Sequence, residues 1–198
     1  MYQFLETIRV NNSLLENIEL HQTRVELTFQ KYYSSVCPFD LKNILKIEKT
    51  LVGIHKLRFL YNKDEFIYEI LPYALKNISK VKLIQNNDIN YSLKFLNRDF
   101  FDNLKNEHNA YDDFIIVKND FLTDCTYANL VFFDNKEFFT PISPLLKGTM
   151  RQKLINLNFI KEAEITINNF KNYSKFMLIN AMLPFEKNRL LDTSVIEL

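Results

Sequence analysis

Glycine is almost absent from this chain: Gly53 and Gly148 are the two it has in 198 residues, against roughly 7% in average usage. That excludes a phosphate cradled by a glycine-rich loop, whether of the dinucleotide-fingerprint or the Walker type. Any phosphate site must be built from other backbone and from cationic side chains. Disorder is excluded too, because 18 Phe and 10 Tyr supply ample apolar surface for a core. A formal net charge of +1 leaves no electrostatic footprint for nucleic acid or an anionic membrane. Cys37 and Cys125 are too few and too far apart in sequence for a disulfide framework or a zinc site. The first residues lack a basic stretch, and no apolar run approaches the ~20 residues of a bilayer span. The expectation is a cytoplasmic protein without a signal peptide, a membrane partner or a nucleic-acid partner.

Hydrophobic patterning predicts an α+β chain. Strands are expected at 1–10, 54–61, 66–72 and 79–84, with a turn at Asn11-Asn12-Ser13. Helices are expected from Leu20 to about Tyr33, where His21 and Arg24 share a face, and from Phe39 to Leu51. The polar run Gln85–Asn90 reads as a linker, giving a small N-terminal α/β domain at 1–88 and a larger domain at 89–198. In the second domain a helix is expected from Lys94 to about Glu107. A strand meander follows at 112–118, 126–133 and 137–140, which Thr140-Pro141 stops because proline cannot donate to a ladder. Short strands are expected at 164–167 and 176–179. Asp112-Asp113 reads as a solvated turn, and His55 and His108 as ordinary residues that build no metal site. Gly148 precedes a helix beginning Thr149-Met-Arg-Gln-Lys. It either relieves a turn or lets the amides of Thr149 and Met150 face an anion, since a helix start is electropositive.

A set of ordered blocks decides between these. Phe121-Leu-Thr-Asp-Cys-Thr-Tyr-Ala-Asn-Leu-Val-Phe-Phe, then Thr140-Pro, then Gly148-Thr-Met-Arg151 resembles the signature of the class IV aminotransferases, the fold-type IV pyridoxal-phosphate enzymes. Glu6-Thr-Ile-Arg9 resembles their N-terminal strand, His21-x-x-Arg24 their phosphate-clamp helix, and Leu93-Lys-Phe-Leu-Asn-Arg98 the block holding the cofactor lysine. The resemblance implies a two-lobed, D-amino-acid aminotransferase-like architecture that binds pyridoxal 5'-phosphate and forms a homodimer. By the same resemblance the chain is expected to be without the N-terminal hairpin of longer members, whose tyrosine reaches the partner subunit's site. The resemblance implies that Lys94, one of nineteen lysines, carries the cofactor and acts as the catalytic amine. Asp124 would pair with the pyridine nitrogen, where the family usually has Glu. Arg24, Gly148, Thr149 and Met150 would hold the phosphate, with Asn180 nearby. Arg9 and Arg58 are candidates for a substrate carboxylate, which a guanidinium meets bidentately; for either, a structural ion pair is the alternative.

Within the family, Leu93-Lys-x-Leu-Asn-Arg98 and Ile179-Asn-Ala-Met-Leu-Pro184 are similar to the aminodeoxychorismate lyases. Branched-chain aminotransferases carry a tyrosine where Asp99 stands, and many transaminases a phosphate-binding threonine where Ala181 falls. The resemblance therefore implies a lyase acting on a small amino substrate, 4-amino-4-deoxychorismate, in folate precursor synthesis. An amino-acid aminotransferase of the branched-chain or D-amino-acid type is the alternative. A shortened, non-catalytic binding module is the third reading.

Overall fold

A computed structural model describes residues 1–75 and 77–198. Its contacts divide the chain into Met1–Leu75 with Leu93–Asn97, and Lys76–Ser92 with Arg98–Leu198. The division falls before residue 88, because the strand at Val81–Gln85 pairs in parallel with Asp113–Lys118. The expected linker therefore belongs to the second unit. Residues 93–97 belong to the first.

In the first unit β1 (Phe4–Asn11), β2 (Leu14–Leu15), α1 (Ile18–Thr28), α2 (Leu41–Ile44), β3 (Ile54–Tyr61) and β4 (Phe66–Pro72) follow in order. The strands form one antiparallel sheet, β2-β1-β3-β4. Asn12 and Ser13 both take positive φ, 47° and 66°, the conformation a two-residue hairpin requires. Strict alternation in β1 sends Phe4, Glu6, Ile8 and Val10 inward. The apolar three pack with Val25, Phe29, Phe39, Leu57, Phe59 and Tyr61. The helix expected over 39–51 shrinks to α2. Beyond it the chain runs extended, with Lys46 N–H bonded to Tyr68 Oη at 3.1 Å. Leu41, the first residue of α2, and Leu45, in extended backbone just past its end, both drop into the core.

The second unit holds β5 (Val81–Gln85), α3 (Asp99–Glu107), β6 (Asp113–Lys118), β7 (Phe121–Cys125), β8 (Asn129–Phe133), β9 (Phe138–Pro141), α4 (Thr149–Asn156), β10 (Lys161–Ala163), β11 (Lys175–Ile179), β12 (Leu191–Asp192) and β13 (Ile196–Glu197). Its sheet runs β10-β9-β8-β7-β6-β5-β13, with β11 on β8 and β12 on β11. The strand expected over 126–133 is broken by a tight turn in which Cys125 N–H donates to Ala128 O at 2.8 Å. Pro141 does not stop the sheet: it ends β9, in parallel register with Ala163 of β10. The strand expected at 164–167 is displaced to β10, and Thr166 keeps an isolated bridge to Phe121. α3 starts at Asp99, not Lys94, because residues 94–96 are drawn onto β1. No helix among the described residues is long and apolar enough to cross a membrane.

Candidate active site

Glu6 is the charged residue at an inward position of β1, and two residues of α1 satisfy it. Arg24 donates through Nε to Oε1 at 2.7 Å and through Nη2 to Oε2 at 2.5 Å, while His21 Nδ1 donates to Oε2 at 2.6 Å. His21 and Arg24, three apart on α1, thus share one carboxylate. Burial alone would raise the Glu6 carboxyl, but Arg24 and His21 outweigh it and hold it at about 2. Burial pushes the His21 imidazole below its ordinary value, and the charges of Arg24 and Lys94 act in the same direction against the Glu6 bond. His21 is therefore a neutral donor, and Lys94 lies within electrostatic reach of it. The lysine backbone is tied to β1: Leu5 N–H donates to Lys94 O at 3.0 Å and Leu96 N–H to Gln3 O at 2.8 Å.

The second unit carries the other predicted group. Asp124 and Asn129 are direct partners across the β7–β8 hairpin, so an acidic residue followed five positions later by Asn puts both side chains on one face. Asn129 Nδ2 donates to Asp124 Oδ1 at 2.7 Å and to Leu146 O at 2.8 Å, and Leu146 N–H donates to Asp124 Oδ2 at 2.8 Å. Burial drives the Asp124 carboxyl up to about 7, against the bonds from Leu146 and Asn129 and the charge of Arg151.

Gly148 corrects one expectation. Its φ of −69° and ψ of 146° suit any residue, so the turn does not require glycine. A Cβ there would collide with Asn129 Oδ1 and lie 3.1 Å from Asn129 Cγ. Gly148 is needed because the Asn129 amide, which holds Asp124, passes directly over it. Gly53 is the glycine kept for conformation, at φ +84° with open space around it. Thr149 and Met150, both buried, form the first turn of α4. Arg151 secures that helix to β9 and β10 through Pro141 O at 2.9 Å and Glu162 Oε1 at 2.5 Å.

The remaining predicted residues have polar neighbours within the protein. Asn180 Oδ1 accepts from Met182 and Leu183 N–H, and its Nδ2 donates to Tyr127 O, so this side chain shapes a turn. Arg58 donates to Glu69 Oε1 at 2.6 Å, directly across β3 and β4. Arg9 Nε stands 3.7 Å from Glu16 Oε2, an ion pair too long for a hydrogen bond. Asp113 is no solvated turn: it is buried, and its Oδ1 accepts from Thr126 Oγ1 and Phe114 N–H at 2.7 Å each. A cavity of about 420 Å³ opens in the second unit beside Asn90, Lys118 and Pro144; none of the predicted residues lines it.

Glu6, His21 and Asn129 stand inside the blocks that carry the resemblance, but the sequence alone assigns none of them a role of its own. Glu6 carried a signal, a charge at a position whose period-two neighbours are Phe4 and Ile8.

With this geometry in view, comparison with known proteins gives a consistent result. The model of the amino-transferase class IV family matches residues 3–185. An uncharacterized protein of Haemophilus influenzae is 34% identical over 185 residues, 92% of this chain and 98% of that one. Among solved structures, a candidate 4-amino-4-deoxychorismate lyase from Haemophilus somnus is 31% identical, with a TM-score of 0.85 over 93% of this chain and 98% of its own. A hypothetical aminotransferase from Mycobacterium tuberculosis in its PLP-bound form shares the fold at 15% identity, with a TM-score of 0.77 over 92% and 78%. The chain belongs to the class IV aminotransferases, a family of pyridoxal-phosphate-dependent enzymes.

Proposed function

We propose that this protein binds pyridoxal 5'-phosphate and converts 4-amino-4-deoxychorismate to 4-aminobenzoate and pyruvate. The observation that carries the reading is the 31% identity, nearly end to end, with the Haemophilus somnus structure. Each unit carries residues whose chemistry suits a part of the cofactor. Asp124 is a buried carboxyl hydrogen-bonded by neutral N–H donors, a group suited to pair with a protonated pyridine nitrogen. Arg24 is a guanidinium already oriented by Glu6, suited to a phosphate. The first amides of α4, at Thr149 and Met150, supply backbone donors of the kind a phosphate takes. When bound, the cofactor supplies an electron sink for the carbon bearing the substrate amine.

In this reading Lys94 is the residue that holds the cofactor and then moves protons. Its Nζ takes the proton from the substrate carbon bearing the amine and returns one to the enolpyruvyl methylene as the C–O bond to pyruvate breaks. One proton leaves and one returns, so the products balance the substrate without water or an amino acceptor. Arg9 and Arg58 are the groups proposed for substrate carboxylates. The deciding experiment supplies protein and cofactor with 4-amino-4-deoxychorismate and no keto acid. Equal release of pyruvate and 4-aminobenzoate is expected. Turnover only when a keto-acid acceptor is added would overturn the lyase reading in favour of transamination.

A further inference from the structure

The end of α1 departs from α geometry. Phe29–Tyr33 forms a π-turn closed by Ser34 N–H on Phe29 O, with Ser34 at φ 51°. Such turns are rare and collect at functional places. On an α-helix two successive side chains diverge and do not meet one target. In this wider turn Tyr32 and Tyr33 both reach Phe4, edge-on, with ring centroids at 4.9 and 5.9 Å.

Phe4, which both rings meet, is bridged to the segment carrying Lys94, and Tyr32 reaches that segment itself. Phe95 pairs with Phe4 in an isolated antiparallel bridge, its ring 5.1 Å from that of Phe4 and 6.1 Å from that of Tyr32. Gln3 joins the two layers. Its carbonyl accepts from Leu96 N–H, its side-chain oxygen accepts from Tyr33 Oη at 2.6 Å, and its Nε2 donates to Tyr32 Oη at 3.4 Å. Two backbone bonds alone are a slight tether for a nucleophile, because a bridge of this length frays. Aromatic edge contacts close the remaining freedom. Tyr32 stays about half exposed, so core packing does not account for its placement.

We propose that the π-turn is a clamp on the lysine segment, and that Tyr32 is a positioning residue for Lys94. The proposal rests on the reading of Lys94 as the cofactor lysine, and two readouts separate the fates of the two ideas. In the first, the full chain freed of cofactor is mixed with pyridoxal phosphate, reduced with borohydride and mapped by peptide. The parent should carry its label on Lys94. Tyr32→Ala should slow that capture roughly 10- to 100-fold, the order expected when a reacting group is misplaced, and Tyr32→Phe should restore it. Gln3→Ala, which keeps every ring, should slow it less. Capture at the parental rate in both Tyr32→Ala and Gln3→Ala would overturn the clamp.

The second readout is amide hydrogen exchange at Leu5 and Leu96. Protection of both should fall in Tyr32→Ala and return in Tyr32→Phe, and unchanged protection would overturn the clamp. A label on another lysine, with protection still lost, would remove Lys94 from the chemistry and leave the clamp standing as a structural device.

Discussion

Glu6 in the first unit and Asp124 in the second are both buried, yet their carboxyls move apart. Glu6 is held down to about 2 and Asp124 is pushed up to about 7. Burial acts on both in the same direction, so it does not make the difference. The partners do. Glu6 receives a bidentate guanidinium and an imidazole N–H, and full charge on the donor outweighs desolvation. Asp124 receives the Asn129 amide and backbone N–H bonds from Leu146 and Leu145, which with the charge of Arg151 soften the penalty without cancelling it. One carboxylate is complete within the protein and serves to orient Arg24. The other is hydrogen-bonded by neutral donors, and groups with displaced titration tend to mark functional positions.

The most damaging way to break the comparison is Glu6→Gln. It leaves Arg24 without its counter-charge, and removing one partner of a buried pair costs roughly 3–5 kcal/mol. In the parent, Glu6 titrates lower folded than unfolded, so its contribution is present above about 4.5 and fades as pH falls toward about 2. Urea denaturation should show both the loss at pH 7 and a flatter acid limb in the variant. An unchanged acid limb would mean that Glu6 does not govern it.

Asp124→Asn tests the opposite sign. A carboxyl that titrates at about 7 folded and 3.8 unfolded favours folding while protonated, and that advantage disappears as pH rises through 7. At ~1.4 kcal/mol per tenfold step, the full swing is of order 4 kcal/mol. The parent without cofactor should therefore lose stability between pH 4 and pH 8, and the variant should lose that slope, less about 1 kcal/mol at every pH for one forfeited hydrogen bond. A slope that survives the substitution would assign it to another group, Asp113 first, since burial raises that carboxyl as well.

How much of this was legible in the sequence follows the range of the interactions involved. β3 and β4 were readable because alternation within each strand is a local signal. The start of α3 was not, because β1, some ninety residues earlier, draws residues 94–96 into a bridge. Asp124 was visible through the resemblance, and the five-residue step to Asn129 was in plain view. Its meaning required the hairpin that places the two opposite each other. Asp113 next to Asp112 looks like a turn until Thr126, delivered by the same hairpin, is seen bonded to it. Scarcity draws attention to Gly148, but what excludes a side chain there is Asn129 on another strand, which its local sequence does not show.

That reason is itself testable, at a smaller cost. Gly148→Ala keeps an allowed backbone, so its whole penalty is the collision with Asn129. Displacing that side chain should cost about 1–3 kcal/mol and weaken the hold on Asp124. The double variant with Asn129→Ala should cost less than the sum of the single changes, because the colliding group is gone. Strict additivity in thermal denaturation would separate the two positions.

The smallest expected effect concerns an ion pair outside the core, which sharpens the contrast with Glu6. Arg58 and Glu69 face each other across β3 and β4, about a third and nearly half exposed. Water screens such a pair, so Arg58→Ala should change stability by under about 1 kcal/mol. If Arg58 meets a substrate carboxylate, Glu69 competes with that carboxylate for the same guanidinium. Glu69→Gln should then lower KM by weakening the competitor, while Arg58→Ala raises it with kcat little changed, the pattern of lost uniform binding. The two substitutions remove opposite partners of one ion pair, so a purely structural role predicts the same sign for both. Opposite signs in KM place Arg58 at the substrate; KM unmoved by either leaves it a cross-strand pair of the sheet.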